Sequence, residues 1–420
     1  MSILLLSLKS LRNRRLTAGL TVAAIALSVT LLLGVERIRE GARSSFENTV
    51  SGTDLIVGAR SGDVQLLLNS VFRIGVPPTD MSWETYQALK ANPDVAWIIP
   101  IMLGDSHRGF RVMGTSPDYF EHLKYGRGQS LAFAQGGPFR DVFDTVLGSD
   151  VAQALGYELG DKLTISHGIS DVGLQVHETK PFAVVGVLAP THTPVDRTVH
   201  IGLEGVMGMH VDFKSGQVTA PEQQITEEEA RRMDLTPMSI TAAFLGLKSK
   251  FGMFRLQRYL SGYKAEALSA ILPGVALGQL WQTLSVAETA LRTVSAFVVL
   301  TGLLGMLTAI LTTLNERRRE MAILRSVGAR PLHVFVLMVS EAFYLAFAGC
   351  VAGVVLLYAV LTATQPWIEN RFGLFLPIQP LNVFDWVVLG VILAAGLLVG
   401  CLPAWRAYRN ALADGLTIRL

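Results

Sequence analysis

Cysteine and charge are both scarce in this sequence. It has two cysteines in 420 residues, Cys350 and Cys401, and both lie inside long apolar runs. That placement excludes the spaced cysteines of a disulfide-rich secreted domain and of a Cys-ligated zinc site. Lys and Arg total 36 against 34 Asp and Glu, and aromatic residues make up only 8%. Because nucleic-acid binding needs a strong positive field, we expect no nucleic-acid partner.

Motifs of enzymes are missing as well. The sequence has no G-x-S-x-G, no C-x-x-C and no paired-carboxylate motif, so nothing in it supports hydrolytic, nucleophilic or redox catalysis. It also has no G-x-x-x-x-G-K-[ST], the loop whose backbone amides hold nucleotide phosphates. We therefore expect a chain that is not an enzyme and that holds no catalytic residue, cofactor or metal of its own.

The composition instead indicates a membrane protein. Half of the residues are hydrophobic and 17% are charged, and the mean hydropathy is +0.41. A helix needs about 20 apolar residues to cross a hydrocarbon layer of roughly 30 Å, and four charge-free runs of that length occur. The first run also resembles a signal peptide with a cleavage site near Ala26, but its continuation to Val35 favours a retained anchor.

The distribution of basic residues predicts the orientation. They cluster before the first run, between the second and third runs, and after the fourth, so these segments should face the cytoplasm. The connection between the third and fourth runs has few charges and should lie outside, as should the roughly 250 residues between the first two runs. This gives nine segments: 1–15 as a cytoplasmic or interfacial helix, 16–35 as the first span, 36–292 as the outer domain with stalk ends, 293–314 as the second span, 315–333 as a cytoplasmic helix, 334–364 as the third span, 365–385 as an outer loop, 386–405 as the fourth span and 406–420 as a cytoplasmic tail.

The outer segment predicts a mixed α and β fold. A helix is expected at 82–90 with Ser82 as its N-cap, an exposed helical link at 223–232, and helical spacing again at 254–272. Short β-rich runs bounded by Gly, Pro, Asn or Asp predict strands at 54–58, 94–102, 108–114, 161–166, 180–188, 198–203 and 238–247. The predicted fold class is an α-helical membrane protein of four spans with a large extracytoplasmic α+β domain between spans one and two.

Segment 315–331, directly after the second apolar run, is the most informative stretch. It predicts a short amphipathic helix in which Glu316 and Glu320 lie one turn apart. Gly328 suits the stop after that helix, and Pro331 suits the first turn of the next one. A basic loop at this place is also what a simple topology signal looks like.

This segment resembles the motif of the FtsX-like permease family of ABC transporters, which runs from E-R-R-R-E through a leucine-rich turn to G-A, here 316–329. The order of one span, a large outer domain and three spans is similar to MacB-type members, and T-D-L-I-V-G-A at 53–59 is similar to the start of their outer domain. MacB itself carries its ATPase in the same chain, whereas here about 15 residues precede the first span. With no phosphate-binding loop present, the resemblance implies a separate ATPase, as in LolCDE-like and FtsEX-like systems.

The resemblance also implies a role and partners. The chain would be a bacterial inner-membrane permease subunit that couples ATP hydrolysis, with ATP and Mg in the partner ATPase, to motion of the outer domain for export or extraction of a substrate. Further partners would be a second permease copy, the lipid membrane and a periplasmic adaptor or substrate protein. A non-transporting sensor of the FtsEX-like type and metal-linked transport are the alternatives. Residues that the resemblance assigns to coupling are Glu316, Arg317, Arg318, Arg319, Glu320, Ile323, Leu324, Gly328 and Ala329.

Two glycine pairs predict close helix packing. Gly349 and Gly353 lie four residues apart in the third span, and Gly396 and Gly400 do so in the fourth. This spacing lets two helices approach closely, either within one chain or between two copies. Glu341, also in the third span, is expected at an interfacial position facing the coupling helix.

The outer domain holds seven of the eight histidines. Imidazole is a common transition-metal ligand, so a metal-binding role is one interpretation. Their spacing contains no H-x-H or H-E-x-x-H, which favours ordinary core and surface histidines.

Overall fold

The computed structural model describes residues 7, 11, 14–49, 51–75, 79–167, 180–214, 217–218, 225–326, 328–372 and 378–413. The chain separates into two compact units. The first, here called the membrane unit, comprises Met1–Gly41, Ser285–Glu369 and Leu376–Leu420, and the second, the outer unit, comprises Ala42–Leu284 and Asn370–Phe375. The helices in chain order are α1 (Arg15–Thr49), α2 (Asp63–Ser70), α3 (Trp83–Lys90), α4 (Asp118–His122), α5 (Ser149–Leu155), α6 (Leu203–His210), α7 (Glu227–Ala230), α8 (Gly252–Ser261), α9 (Pro273–Ser326), α10 (Pro331–Phe372) and α11 (Val383–Ala413).

Four of these helices are long and apolar enough to cross a membrane. Their candidate spans are Arg15–Gly41, Pro273–Thr312, Pro331–Gln365 and Val383–Arg406, with mean hydropathies between 2.2 and 2.5. Only 28–39% of each apolar window is buried inside the protein, as expected for helices whose outer sides face lipid rather than water. The buried remainder forms one cluster, which includes Val29 of α1, Met306 of α9, Ala342 of α10 and Ile392 of α11.

Helix α9 differs from the sequence expectation. The second span and the cytoplasmic helix were expected as separate elements, but α9 is continuous from Pro273 to Ser326. No proline occurs between Pro273 and Pro331, and the residues of 315–326 are mostly good helix formers, so nothing breaks the hydrogen-bonded backbone after the apolar run. The part of this segment from 315 to 326, expected to face the cytoplasm, therefore forms the last turns of α9.

The outer unit is built on a mixed sheet. Among the described residues, eleven strands join it in the order β17-β1-β16-β3-β4-β12-β8-β11-β7, with β10 beside β3 and β9 beside β11. Most pairs are antiparallel, but β4 with β12 and β8 with β11 run parallel. The strands are β1 (Leu55–Ala59), β2 (Met81–Ser82), β3 (Val95–His107), β4 (Phe110–Thr115), β5 (Lys124–Tyr125), β6 (Gln129–Ser130), β7 (Phe133–Gly136), β8 (Asp144–Leu147), β9 (Lys162–Leu163), β10 (Ser166–His167), β11 (Phe182–Leu188), β12 (Thr198–Gly202), β13 (Phe213–Lys214), β14 (Gln217–Val218), β15 (Ser239–Ile240), β16 (Ala242–Leu247) and β17 (Leu268–Ile271).

The predicted fold class is confirmed: four apolar helices carry a large α+β unit between the first helix and the other three. Helix α3 begins after Ser82, whose hydroxyl accepts a hydrogen bond from the Thr85 backbone N–H at 3.2 Å. The expectation of helix throughout 254–272 is wrong in its second half, because α8 ends at Ser261 and residues 268–271 form β17. There β17 pairs antiparallel with β1, from Ile56 with Ile271 to Ala59 with Leu268, and these backbone hydrogen bonds outweigh the local helical spacing.

Candidate functional sites in the membrane unit

The turn between α9 and α10 carries the segment expected to couple to an ATPase. Helix α9 ends at Ser326, and Gly328 has a φ of +96°, a left-handed conformation that glycine adopts without steric cost. Pro331 then begins α10. The first residue of a helix has no intrahelical acceptor for its N–H, so a proline there costs no backbone hydrogen bond. The Arg330 backbone N–H donates to the His333 ring at 3.1 Å and closes the turn.

Apolar side chains are exposed on both sides of this turn. Ile323 near the end of α9 is 57% exposed, and Leu332 in the first turn of α10 is 61% exposed. The backbone of Glu316, Arg317, Arg318, Arg319, Glu320 and Leu324 lies in α9, but their side chains are outside the described set. Ala329 is half-buried between the two helices. We call the exposed side chains of Ile323 and Leu332 the hairpin tip. Chemically, they offer an apolar surface at the end of a long helix.

The glycine pair of α10 lies against α1. A Cβ on Gly349 would stand 2.5 Å from Ile25 Cγ2, and one on Gly353 would stand 2.7 Å from Val29 Cβ and 2.8 Å from the Ala26 carbonyl oxygen. These distances are shorter than any normal van der Waals contact. Helices α1 and α10 can therefore approach this closely only because positions 349 and 353 lack side chains.

The glycine pair of α11 lies against α10. A Cβ on Gly396 would meet Ala346 Cβ at 2.8 Å, and one on Gly400 would meet Ala342 Cβ at 2.4 Å. Helix α10 therefore presents glycines to α1 and alanines to the glycines of α11. Each of the four glycines packs within this chain.

Hydroxyl groups add hydrogen bonds between the same helices. The Ser28 hydroxyl is shared between the Ala24 carbonyl of its own helix at 2.8 Å and the Val298 carbonyl of α9 at 3.1 Å. The Thr30 hydroxyl is likewise shared between the Ala26 carbonyl at 2.8 Å and the Gly353 carbonyl of α10 at 2.9 Å. In a lipid bilayer, apolar burial gives little driving force for helix association, so hydrogen bonds between helices contribute to it. Sequence reasoning missed them, since a Ser or Thr in an apolar run shows no preferred partner.

A group of charged residues at one end of the membrane unit was also missed. Arg37 of α1 pairs with Asp385 at the start of α11 and donates to the Pro380 carbonyl at 2.9 Å. The preceding residue of α1, Glu36, accepts from Arg292 of α9 at 3.0 Å and pairs with Arg39 as well. The signal in the sequence was the run of charges at 36–40 directly after the first apolar stretch, but it does not show which helices those charges meet.

Comparison with known proteins identifies the family. The FtsX-like permease C-terminal domain matches residues 292–412, and the MacB-like periplasmic core domain matches residues 18–230. The chain belongs to the MacB/FtsX-like permease family. Its relatives include the macrolide export ATP-binding/permease protein MacB of Azoarcus sp. (22% identical over 96% of this chain and 57% of that protein). Another is the lipoprotein-releasing system transmembrane protein LolC of Neisseria meningitidis (24% identical over 94% of this chain and 92% of that protein).

The permease spans only part of its MacB-type relatives, about half of their length. Among solved structures, the periplasmic region of MacB from Actinobacillus actinomycetemcomitans aligns with 56% of this chain and 94% of that one, at 11% identity and a TM-score of 0.35.

One small cluster of acidic and imidazole side chains has the spacing of metal ligands. Within the described residues, one group has ligand atoms all within 4.8 Å of one another, namely Asp118, Glu121 and His122. It lies on the five-residue helix α4 with Glu121 exposed, and the His122 ring stacks on Trp97 at 5.3 Å. That arrangement is typical of an ordinary surface helix. Glu341 in α10 is buried.

Two other histidines of the permease belong to the core of the outer unit. His107 hydrogen-bonds to the Thr164 carbonyl at 2.6 Å and to the Tyr157 hydroxyl at 3.0 Å, and burial lowers its pKa. His200 is fully buried in β12 beside Tyr119. The side chains of His167 and His177 lie outside the described residues.

Proposed function

We propose that this chain is the transmembrane permease subunit of a bacterial ABC transporter whose ATPase is a separate polypeptide. ATP binding and hydrolysis in that partner would move the α9–α10 turn, and the outer unit would respond by exporting or extracting a substrate. The observation that carries this proposal is the hairpin tip, where Ile323 and Leu332 expose apolar surface on both sides of the turn between α9 and α10. The proposal places the chain in the inner membrane as a homodimer.

The shape of α9 supports a mechanical role. Its 54 residues form one unbroken helix from Pro273 to the cytoplasmic turn, a length of about 80 Å at 1.5 Å per residue. A continuous hydrogen-bonded helix is stiff along its axis, so displacement of its end is passed along it rather than absorbed at a joint. The relative LolC, which the chain covers almost completely, is named as the transmembrane protein of a releasing system.

The apolar centre of the contact with the ATPase would be Ile323 and Leu324. Its polar rim would be formed by Glu316, Arg317, Arg318, Arg319 and Glu320. Burial of apolar area is worth about 25 cal/mol per Å², so truncating either apolar side chain to Ala should weaken the contact by about 1–3 kcal/mol. Individual rim arginines should matter less, since exposed pairs are worth below about 1 kcal/mol.

The test is Leu324→Glu, with Met238→Glu as the control. Met238 is 87% exposed in the outer unit, so it reports what a new surface carboxylate does away from the hairpin tip. Pull-down of the ATPase from detergent-solubilised membranes should be lost with Leu324→Glu and unchanged with Met238→Glu. ATPase retention by Leu324→Glu, with equal insertion of both variants, would show that the basic turn is only a topology signal.

The orientation can be tested separately. In a variant lacking Cys350 and Cys401, a cysteine at Met238 should react with a membrane-impermeant maleimide on intact cells, and a cysteine at Arg330 should react only after lysis. The opposite pattern would contradict the placement of the outer unit outside the cytoplasm. Efflux of a candidate substrate from vesicles distinguishes a transporter from a sensor.

A further inference from the structure

Helix α8 of the outer unit has two faces of different chemistry. Leu256 and Leu260 are buried in the cluster that also contains Leu245 and Leu268, and they attach the helix to the sheet. On the opposite side, Phe251 at the N-cap is 94% exposed and Phe254 is 68% exposed. The folding of α8 is explained by its leucines, so the aromatic side is not needed to hold the helix in place.

The exposed residues of α8 form one continuous surface. Five exposed residues lie on one side of the helix, because each has another of the five three or four positions away. They are Phe251, Phe254, Arg255, Arg258 and Tyr259. We call this surface the α8 face. It combines three aromatic rings with two guanidinium groups, the residue types that are enriched at the centres of protein interfaces.

The surroundings of the α8 face are strongly basic. From 248 to 265 the chain has five cationic residues and no acidic one, the flanking cations being Lys248, Lys250 and Lys264. Carboxylates also border this stretch: Asp94 holds Arg255 at 2.6 and 2.9 Å, Asp54 accepts from the Leu247 backbone N–H at 2.7 Å, and Glu266 accepts from the Ser82 hydroxyl at 2.9 Å. The five cations outnumber these three carboxylates, which leaves a net positive charge around the exposed rings.

Charge and shape favour an acidic protein as the occupant. A symmetric contact with a second copy would set this basic surface against itself, which like-charge repulsion disfavours. An anionic lipid layer would meet Asp94 as well as the cations, whereas a folded partner can place its carboxylates opposite Arg258 and Lys250 and avoid Asp94. The face is also only ten residues long, about 15 Å, and suits a compact pocket.

We propose that the α8 face is the docking surface for an acidic partner protein outside the membrane. Phe251 and Phe254 enter an apolar depression of the partner, and Arg258 and Lys250 pair with carboxylates around it. This docking does not depend on the ATPase contact at the hairpin tip, so either proposal can fail without the other.

Site-specific photo-crosslinking of the full chain in living cells tests the docking. A benzophenone amino acid is placed at position 251 or 254, and at Met238 as an equally exposed control of the same unit. The charge dependence is read with Lys250→Glu/Arg258→Glu, and Arg232→Glu reverses an exposed charge elsewhere on the same unit. Thermal melting of each purified variant shows whether the outer unit remains folded.

The expected result is an adduct with one acidic protein at 251 and 254 but not at 238, reduced at least about tenfold by Lys250→Glu/Arg258→Glu and unchanged by Arg232→Glu. The identified protein, purified, should bind the full chain in nanodiscs more weakly at high salt. An adduct of lipid mass, an adduct with a second copy, an adduct indifferent to the charge reversal, or no adduct at all would each overturn the proposal.

Discussion

Arg37 of α1 and Asp385 of α11 form a buried ion pair, with side chains 8% and 1% exposed. The two residues are 348 positions apart in the sequence. Asp385 also accepts from the Asn382 backbone N–H, and Asn382 accepts from the Asp385 backbone N–H, both at 2.9 Å. This reciprocal arrangement is a capping box at the start of α11. The Asp385 carboxylate therefore caps the start of α11 and also links α11 to α1.

Replacing Arg37 by Met should strongly destabilise the membrane unit. It leaves the Asp385 carboxylate buried without its cation, which typically costs about 3–5 kcal/mol. Arg292→Gln is the control, because Arg292 is half-exposed in its pair with Glu36 and should cost below about 1 kcal/mol. Thermal melting in detergent measures both. Adding Asp385→Asn to Arg37→Met should restore most of the loss, since Asn keeps the cap without the charge. Equal losses for Arg37→Met and Arg292→Gln would show that the pair contributes no more than a surface contact.

Substitution of Gly353 by Ala should separate α1 from α10. The new Cβ would stand 2.7 Å from Val29 Cβ, and such overpacking typically costs about 1–3 kcal/mol. Gly390→Ala in α11 is a matched control, because a Cβ there has nothing within 4 Å, and it should be neutral or slightly stabilising. Thermal melting of the two variants should show a lower melting temperature for Gly353→Ala. Equal melting temperatures would show that the close approach of α1 and α10 at Gly353 does not contribute to stability.

Much of the fold is predictable because the responsible signals are local. Four apolar runs predict four helices, Ser82 predicts the start of α3, and Gly328 with Pro331 predicts the turn between α9 and α10. Strand β17 is the exception. Its residues show helical spacing, and only the distant strand β1 supplies the hydrogen bonds that make them extended. A signal of that kind is not contained in a window of neighbouring residues.

In the candidate sites, too, local features were predictable from the sequence and contacts between distant segments were not. The residues expected to couple to an ATPase were assigned from a local motif, whereas the exposure of Ile323 and Leu332 became visible only in the structure. The glycine spacing predicted close packing without its partners, which are Ile25 and Val29 for α10 and Ala342 and Ala346 for α11. The contacts of Arg37 with Asp385 and of Thr30 with Gly353 join distant segments, and no sequence spacing connects them.

A second buried pair gives a prediction for the outer unit. Lys180 and Asp212 are almost fully buried, and Asp212 also accepts from the Ile225 backbone N–H at 2.8 Å. Lys180→Met should cost about 3–5 kcal/mol of unfolding free energy, and Lys180→Met/Asp212→Asn should recover most of it, because Asn remains an acceptor for Ile225 without a buried charge. Arg231→Met, in a half-exposed pair with Asp141, serves as the control. Urea unfolding measures all three. No recovery in the double variant would show that the lysine contributes by packing alone.

The fully buried His200 gives the outer unit a pH dependence. Its Nδ1 lies 3.2 Å from the Val146 carbonyl oxygen, which can only accept, so Nδ1 carries the hydrogen and Nε2 is bare. Burial, and to a lesser degree the charge of Arg73, lowers the pKa of His200 from 6.5 to about 3. Between these values the unfolded chain binds a proton that the folded chain does not. The unfolding free energy should therefore fall by about 1.4 kcal/mol for each pH unit below about 6.5.

His200→Leu isolates this contribution from the other groups of the same unit. Burial raises the pKa of Asp196, which acts in the opposite direction and stabilises the fold as the pH falls, whereas the lowered pKa of His107 acts in the same direction as His200. Both remain in the variant and cancel in the comparison. Urea unfolding of the full chain in detergent, followed by tryptophan fluorescence at pH 7.5, 6 and 5, should show the wild type losing stability faster than His200→Leu below about pH 6.5. Parallel losses would mean that His200 takes up a proton in the folded state, and that its environment is less apolar than the structure shows.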